Sequence, residues 1–143
     1  MIWFNDNMPT LEALNQSNSR CLVDHIGIEF IAIDDDSLTA RMPVDERTRQ
    51  PYGILHGGAS VVLAETIGSM GSAMCVDLAR YRVVGLDINA NHIRAVSSGF
   101  VTATASALHI GRRTHVWSIR QVDENDRLTC VSRLTMAIID GQA

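Results

Sequence analysis

The chain has 143 residues, enough for one domain with a buried core and short for two, so a single domain spanning residues 1–143 is expected. With 46% hydrophobic and 20% charged residues and only 3 prolines, the composition is that of an ordered globular protein and excludes a disordered chain. The net charge of −4 offers no basic field to a polynucleotide backbone, which argues against nucleic-acid binding, although a few local arginines still suffice for a small anion.

Met1-Ile2-Trp3-Phe4-Asn5-Asp6 lacks the basic region and apolar stretch of a secretory signal. Cys21, Cys75 and Cys130 form an odd set without metal-ligand spacing, so a cytoplasmic location is expected, with no disulfide framework and no metal. Pro9 to Asn15 predicts a short helix with Thr10 as a cap and Leu11 and Leu14 on one face. Ile26 to Ile33 and Ser37 to Met42 are apolar runs joined by Asp34-Asp35-Asp36, a hairpin pattern. Pro43 to Gly53 is polar and proline-bounded and reads as an ordered loop.

Gly57 to Val76 has helical length and no proline, and Glu65 is its single charge. It approaches the length of a membrane span, but four glycines, three serines, a threonine and a central carboxylate make a bilayer a costly place for it. One long buried helix explains the same pattern, and no membrane contact is expected. Beyond Asp77 the period changes to two: Val84, Leu86, Ile88, Ala90 and His92 alternate with Gly85, Asp87, Asn89, Asn91 and Ile93. Phe100 to Ile110, Thr114 to Val122 and Leu128 to Ile139 continue as strands separated by turns at 109–112 and 124–126. The order is short helix, two strands, long helix, four strands, an α+β architecture in which an antiparallel sheet wraps around one long central helix.

Chemistry concentrates at Gln50-Pro51-Tyr52-Gly53-Ile54-Leu55-His56-Gly57-Gly58 and at Glu65. His56 and two glycines open the long helix, where unpaired N–H groups and the positive dipole end can stabilise an oxyanion. Glu65 is either a hydrogen-bonded structural acid or a group working in a pocket, and glycines at a helix start also occur for steric reasons alone. Nine residues from His56 to Glu65 correspond to about 13.5 Å of helix rise and roughly half a turn, so one chain does not easily converge both on one substrate. A symmetric dimer that sets one helix start opposite its partner's Glu65 solves this and creates two equivalent sites. Ser69 lies one turn beyond Glu65 on the same face.

Met42-Pro43-Val44-Asp45 together with the run from Gln50 through Glu65 to Ser69 resembles the hotdog thioesterases of the PaaI-like group. Within that group it is most similar to the bacterial enzymes that hydrolyse 1,4-dihydroxy-2-naphthoyl-CoA in menaquinone synthesis and to those that clear misloaded aryl carrier protein in enterobactin synthesis. The resemblance runs nearly end to end, from Met1-Ile2-Trp3 to Arg133-Leu134-Thr135. It implies a hotdog fold and hydrolysis of an acyl, in particular aromatic, thioester of coenzyme A or of a carrier protein. Glu65 matches the catalytic carboxylate, a nucleophile acting through a mixed anhydride or a general base on water. Gly57 matches the oxyanion-hole donor, His56 and Gln50 the groups that orient the thioester, and Ser69 a residue that positions water. The Gln50, His56 and Gly57 side and the Glu65 and Ser69 side would come from different subunits of a homodimer, commonly paired into a tetramer.

Val84, Gly85, His92 and Arg94, with His109, Gly111, Arg112 and Arg113, match contacts to the pantetheine and nucleotide of coenzyme A, which is part of the substrate; no cofactor is implied. For the arginines the alternative is a solvated strand-end charge. Tyr52 stands where phenylalanine is commoner and Met70 borders the implied acyl pocket, so both leave the acyl group open. His25 and His115 match no role and are expected to be structural or on the surface. Two competing readings are a hotdog dehydratase that moves a proton at carbon and a non-catalytic acyl-CoA-binding module.

Overall fold

The computed structural model describes residues 1–141. Helix α1 spans Leu11–Ser17 and is capped where Thr10 Oγ1 accepts the Ala13 N–H at 3.1 Å. Asn15 then uses its side-chain amide as a substitute strand, donating to the Phe30 carbonyl and accepting the Phe30 N–H. That pairing ties α1 to β1 (Glu29–Ile33), which forms the hairpin with β2 (Ser37–Pro43). The apolar residues 26–28, read as the first part of this strand, instead follow a four-residue helix α2, Leu22–His25. Gly27 turns the chain there at φ +78°, so the strand cannot begin earlier.

The long helix α3 runs Gly57–Met74, two residues shorter than read. It is followed by β3 (Tyr81–His92), β4 (Phe100–Ile110), β5 (Thr114–Val122) and β6 (Leu128–Asp140). All pairs are antiparallel, in the order β1-β2-β4-β5-β6-β3. β3 begins at Tyr81 rather than Val84 because backbone pairing with Ile138 to Asp140 does not require an apolar pattern in its first turn of pleat.

Alternate residues of β2, β4, β5 and β6 build one apolar face: Leu38, Met42, Val101, Trp117, Ile119 and Leu134 are all buried. Each large side chain so placed contributes about 1.5–3 kcal/mol. α3 lies on that face through Leu63, Ala64, Ile67 and Gly71, spaced three and four apart. The approach is close: a Cβ on Gly71 would stand 2.8 Å from the Trp117 ring. Two buried hydrogen bonds set the register, Trp117 Nε1 donating to Ser72 Oγ and Gln121 Nε2 donating to the Ser60 carbonyl, both at 2.7 Å. Trp3 stacks on Trp117 with ring centroids 6.5 Å apart and closes that end of the core.

The sheet covers one face of α3. The other, Val61, Val62, Glu65, Thr66, Ser69 and Met70, faces away from the core and lines a cavity. Among the described residues β3 is an edge strand, paired with β6 on one side alone.

Candidate active site

The loop from Val44 to His56 is pinned before it delivers the helix start. Thr48 is buried, its hydroxyl donates to the Pro43 carbonyl at 2.7 Å, and its carbonyl accepts the His56 N–H at 2.8 Å. The Arg49 guanidinium donates to the carbonyls of Ser97 and Val44. Within this frame Gln50 to Ile54 makes a tight turn closed by Gln50 N–H to Ile54 carbonyl at 2.8 Å, with Gly53 at φ +80°. Tyr52 at its tip is 90% exposed, and the Gln50 Oε1 accepts the Tyr52 N–H.

His56 caps α3 by accepting the Gly58 N–H at Nδ1, 2.8 Å. A neutral imidazole that accepts at Nδ1 carries its proton on Nε2, so the outer nitrogen is a donor. The Gly57 N–H donates to nothing among the described residues. A free N–H at the positive end of an 18-residue helix is suited to a developing oxyanion. His92 lies against it: a Cβ on Gly57 would stand 3.0 Å from His92 Nε2, so any larger residue at 57 would displace the imidazole.

Glu65 projects from the flank of α3 beside β3, half-buried, into a cavity of about 570 Å³ whose other walls include Leu22, Val62, Ser69, Met70 and Val83. The carboxylate accepts no hydrogen bond and forms no ion pair among the described residues. A satisfied structural acid is therefore not what stands here. Its Oε1 rests over Gly85, where a Cβ would come within 2.6 Å. The reason lies in β3. The alternation read from the sequence puts Val84, Leu86 and Ile88 on one face, but the strand bulges between Gly85 and Asp87. Gly85 faces Met136 and Ile88 faces Leu134 on the inner side, while Val84 and Leu86 are turned out to 42% and 61% exposure. The bulge thus brings the one residue without a side chain under Glu65. One turn along, Ser69 Oγ has only a weak contact with Met136 Sδ at 3.6 Å, leaving its hydroxyl available.

The remaining candidates divide by location. His109 packs on Gly111 in the turn after β4, and Arg112 and Arg113 border a polar cavity of about 370 Å³ with Tyr81 and Asp140. Arg94 is exposed beside the end of β3. One chain therefore gathers two clusters, His56, Gly57 and His92 at the helix start and Glu65, Ser69, Met70 and Gly85 along its flank, separated by about 12 Å of helix rise. Asn18, Leu22 and Val23 were missed as cavity walls; the only available signal was the apolar pair Leu22-Val23 after Cys21.

His25 is exposed, whereas His115 is buried beneath the 109–113 turn with no partner for Nδ1 among the described residues; burial lowers its pKa, opposed by a backbone hydrogen bond with Gly111. Burial likewise pushes the Cys75 thiol up to about 12, so it is no nucleophile at neutral pH. Among the described residues no helix is long and apolar enough to cross a membrane.

The sequence profile of the Thioesterase superfamily matches residues 52–130, more than half of the chain and inclusive of both clusters. A 1,4-dihydroxy-2-naphthoyl-CoA hydrolase of Escherichia coli K12 is 51% identical over 139 residues, covering 97% of this chain and 100% of the relative. A proofreading thioesterase, EntH, of Cronobacter turicensis is 48% identical over 139 residues, covering 97% and 99%. The crystal structure of a mutant of thioesterase PA1618 from Pseudomonas aeruginosa superposes with a TM-score of 0.96 at 53% identity, covering 99% of this chain and 100% of that one. This chain belongs to the hotdog thioesterase superfamily and is a thioester hydrolase.

Proposed function

We propose that the chain hydrolyses an aromatic acyl thioester of coenzyme A or of a carrier protein, with Glu65 as the catalytic carboxylate. The observation that carries this reading is a carboxylate without a partner among the described residues, opening into a largely apolar cavity of ligand size. Placing it in menaquinone synthesis rests on likeness to the E. coli relative, whose name specifies a fused aromatic acyl-CoA.

In this mechanism the thioester carbonyl oxygen accepts from the Gly57 N–H while His56 Nε2–H and Gln50 orient the group. Charge develops on that oxygen as Glu65 attacks the carbonyl carbon, or as it removes a proton from an attacking water. Collapse of the tetrahedral intermediate breaks the C–S bond and releases the thiol, leaving in the first case an anhydride that water hydrolyses and in the second the free acid. Ser69 holds the water for the hydrolytic step. Val84, Gly85, His92 and Arg94 line the approach of the pantetheine arm, and His109, Gly111, Arg112 and Arg113 meet the nucleotide, with phosphate paired to guanidinium. Tyr52 and Met70 touch the acyl group. No cofactor is required.

The separation of the two clusters along α3 supports a site shared between copies. β3 is 12 residues long with an unpaired edge and exposed Val84 and Leu86, features that favour pairing with a second β3 about a two-fold axis. Two helices would then lie antiparallel, each start beside the partner's flank. Two such dimers form the tetramer. Hydrolysis is favoured over dehydration because the named relatives are hydrolases.

The test is thiol release from benzoyl-, dihydroxynaphthoyl-, short and long aliphatic CoA and an aryl-loaded carrier protein. Wild type is expected to prefer an aromatic donor, with Glu65→Ala at least ~100-fold slower. Equal rates for wild type and Glu65→Ala on every donor would sink the proposal.

A further inference from the structure

Two cavities meet along α2. One is the chamber of about 570 Å³ that contains the Glu65 carboxylate. The other, about 370 Å³, opens beside His56 and Gly58 and is bordered by Arg47 and Arg49. Among the described residues Leu22 and Val62 alone line both, so these two side chains stand between them.

Val62 is held on α3, whereas Leu22 projects from a helix of four residues and is 56% exposed. Its neighbours on the same segment do the structural work: Ile26 is buried in the core, and Val23 packs against it. Leu22 adds little to that core, yet its aliphatic surface ends the Glu65 chamber on the side of the helix start. The remaining wall contributed by α3, in which Val61, Met70 and Ala73 are apolar and Glu65, Thr66 and Ser69 polar, cannot retreat, because the opposite face of that helix is locked on the sheet.

We infer that Leu22 is a specificity-determining residue that sets the largest acyl group the chamber accepts. This rests on the reading that the Glu65 chamber receives the acyl group. A compact apolar acyl group is contained by Leu22; a longer or broader one must pass the partition and enter the second cavity. Shortening Leu22 joins the cavities, and enlarging it to an indole shortens the first. One methylene in an apolar pocket is worth about 10–200-fold in discrimination, so a change of this size reorders substrates.

The test is thiol release by the full-length protein on acetyl-, hexanoyl-, decanoyl-, benzoyl- and naphthoyl-CoA, with kcat and KM determined for each. Relative to wild type, Leu22→Ala is expected to raise kcat/KM for decanoyl- and naphthoyl-CoA over acetyl- and benzoyl-CoA by about tenfold or more. Leu22→Trp is expected to lower the same ratio by about tenfold, with acetyl-CoA changed by less than about twofold. His25→Ala, exposed on the same helix and lining neither cavity, keeps the wild-type order and controls for disturbance of α2. Ratios within about twofold of wild type in both Leu22 variants, or a loss shared evenly by every acyl group, overturn the inference. Glu65→Gln separates the two readings. If it keeps wild-type turnover while the Leu22 variants reorder the series, the catalytic role of Glu65 falls and the chamber's selection of the acyl group stands.

Discussion

A carboxylate on an apolar helix must either be satisfied by a donor or have access to a cavity, and Glu65 has the cavity. Gly85 provides the room. Gly85→Ala puts a methyl where Oε1 now rests, and since the obstacle is the end of a flexible side chain, the fold survives while the carboxylate shifts. The expected outcome is a fall in kcat of at least ~tenfold with unfolding stability changed by under about 1 kcal/mol, measured by thiol release and urea denaturation. His115 makes a different prediction. Its buried ring holds the proton less well than the ordinary imidazole value of 6.5, so on acidification the unfolded chain takes up a proton first. This contribution to stability is complete above pH 6.5 and declines as pH falls below it. In His115→Asn, the slope of unfolding free energy below pH 6.5 should flatten; an unchanged slope would show that His115 does not carry it.

At the scale of the element, α3 serves two masters through its two faces. Its small residues let the sheet approach, and its other face is left for the cavity. Gly71→Ala would drive a methyl against the fully buried Trp117 ring, which also donates to Ser72 and cannot move aside. A loss of about 1–3 kcal/mol in urea denaturation is expected, and under 0.5 kcal/mol would mean the helix can lift from the sheet without penalty. The helix start shows the same economy. His56 satisfies Gly58 and leaves Gly57 free, so the capping interaction that stabilises the helix also selects the imidazole tautomer that presents a donor outward.

For the whole molecule, the separation between His56 and Glu65 predicts complementation. In the proposed dimer, Gln50→Ala and Glu65→Ala chains, each expected to be inactive alone, should form mixed dimers with one intact shared site when subunits exchange. Equal mixing should restore about a quarter of wild-type activity, because half the dimers are mixed and each has one working site of two. Confirmed exchange without recovery would place both clusters in one chain's site. The elements most legible in the sequence were those whose pattern is local. Thr10, the Asp34 to Asp36 turn and the three last strands follow from capping, turn chemistry and period two, and all appear within a residue or so of their expected bounds. α2 escaped because four residues carry too little periodicity.

Sequence alone determined the α+β order, the long central helix and the spacing between the two clusters, because composition, hydrophobic period and helix rise act along the chain, while the run from Gln50 to Ser69 carried the thioesterase resemblance. Only the tertiary structure decided that Glu65 has no structural partner among the described residues, that a bulge turns Gly85 beneath it and Val84 away, and that Leu22 stands between two cavities. A bulge is a mismatch between two strands, and a cavity is what several elements leave unfilled together. Both are relations between distant segments, which no local pattern in β3 or α2 encodes.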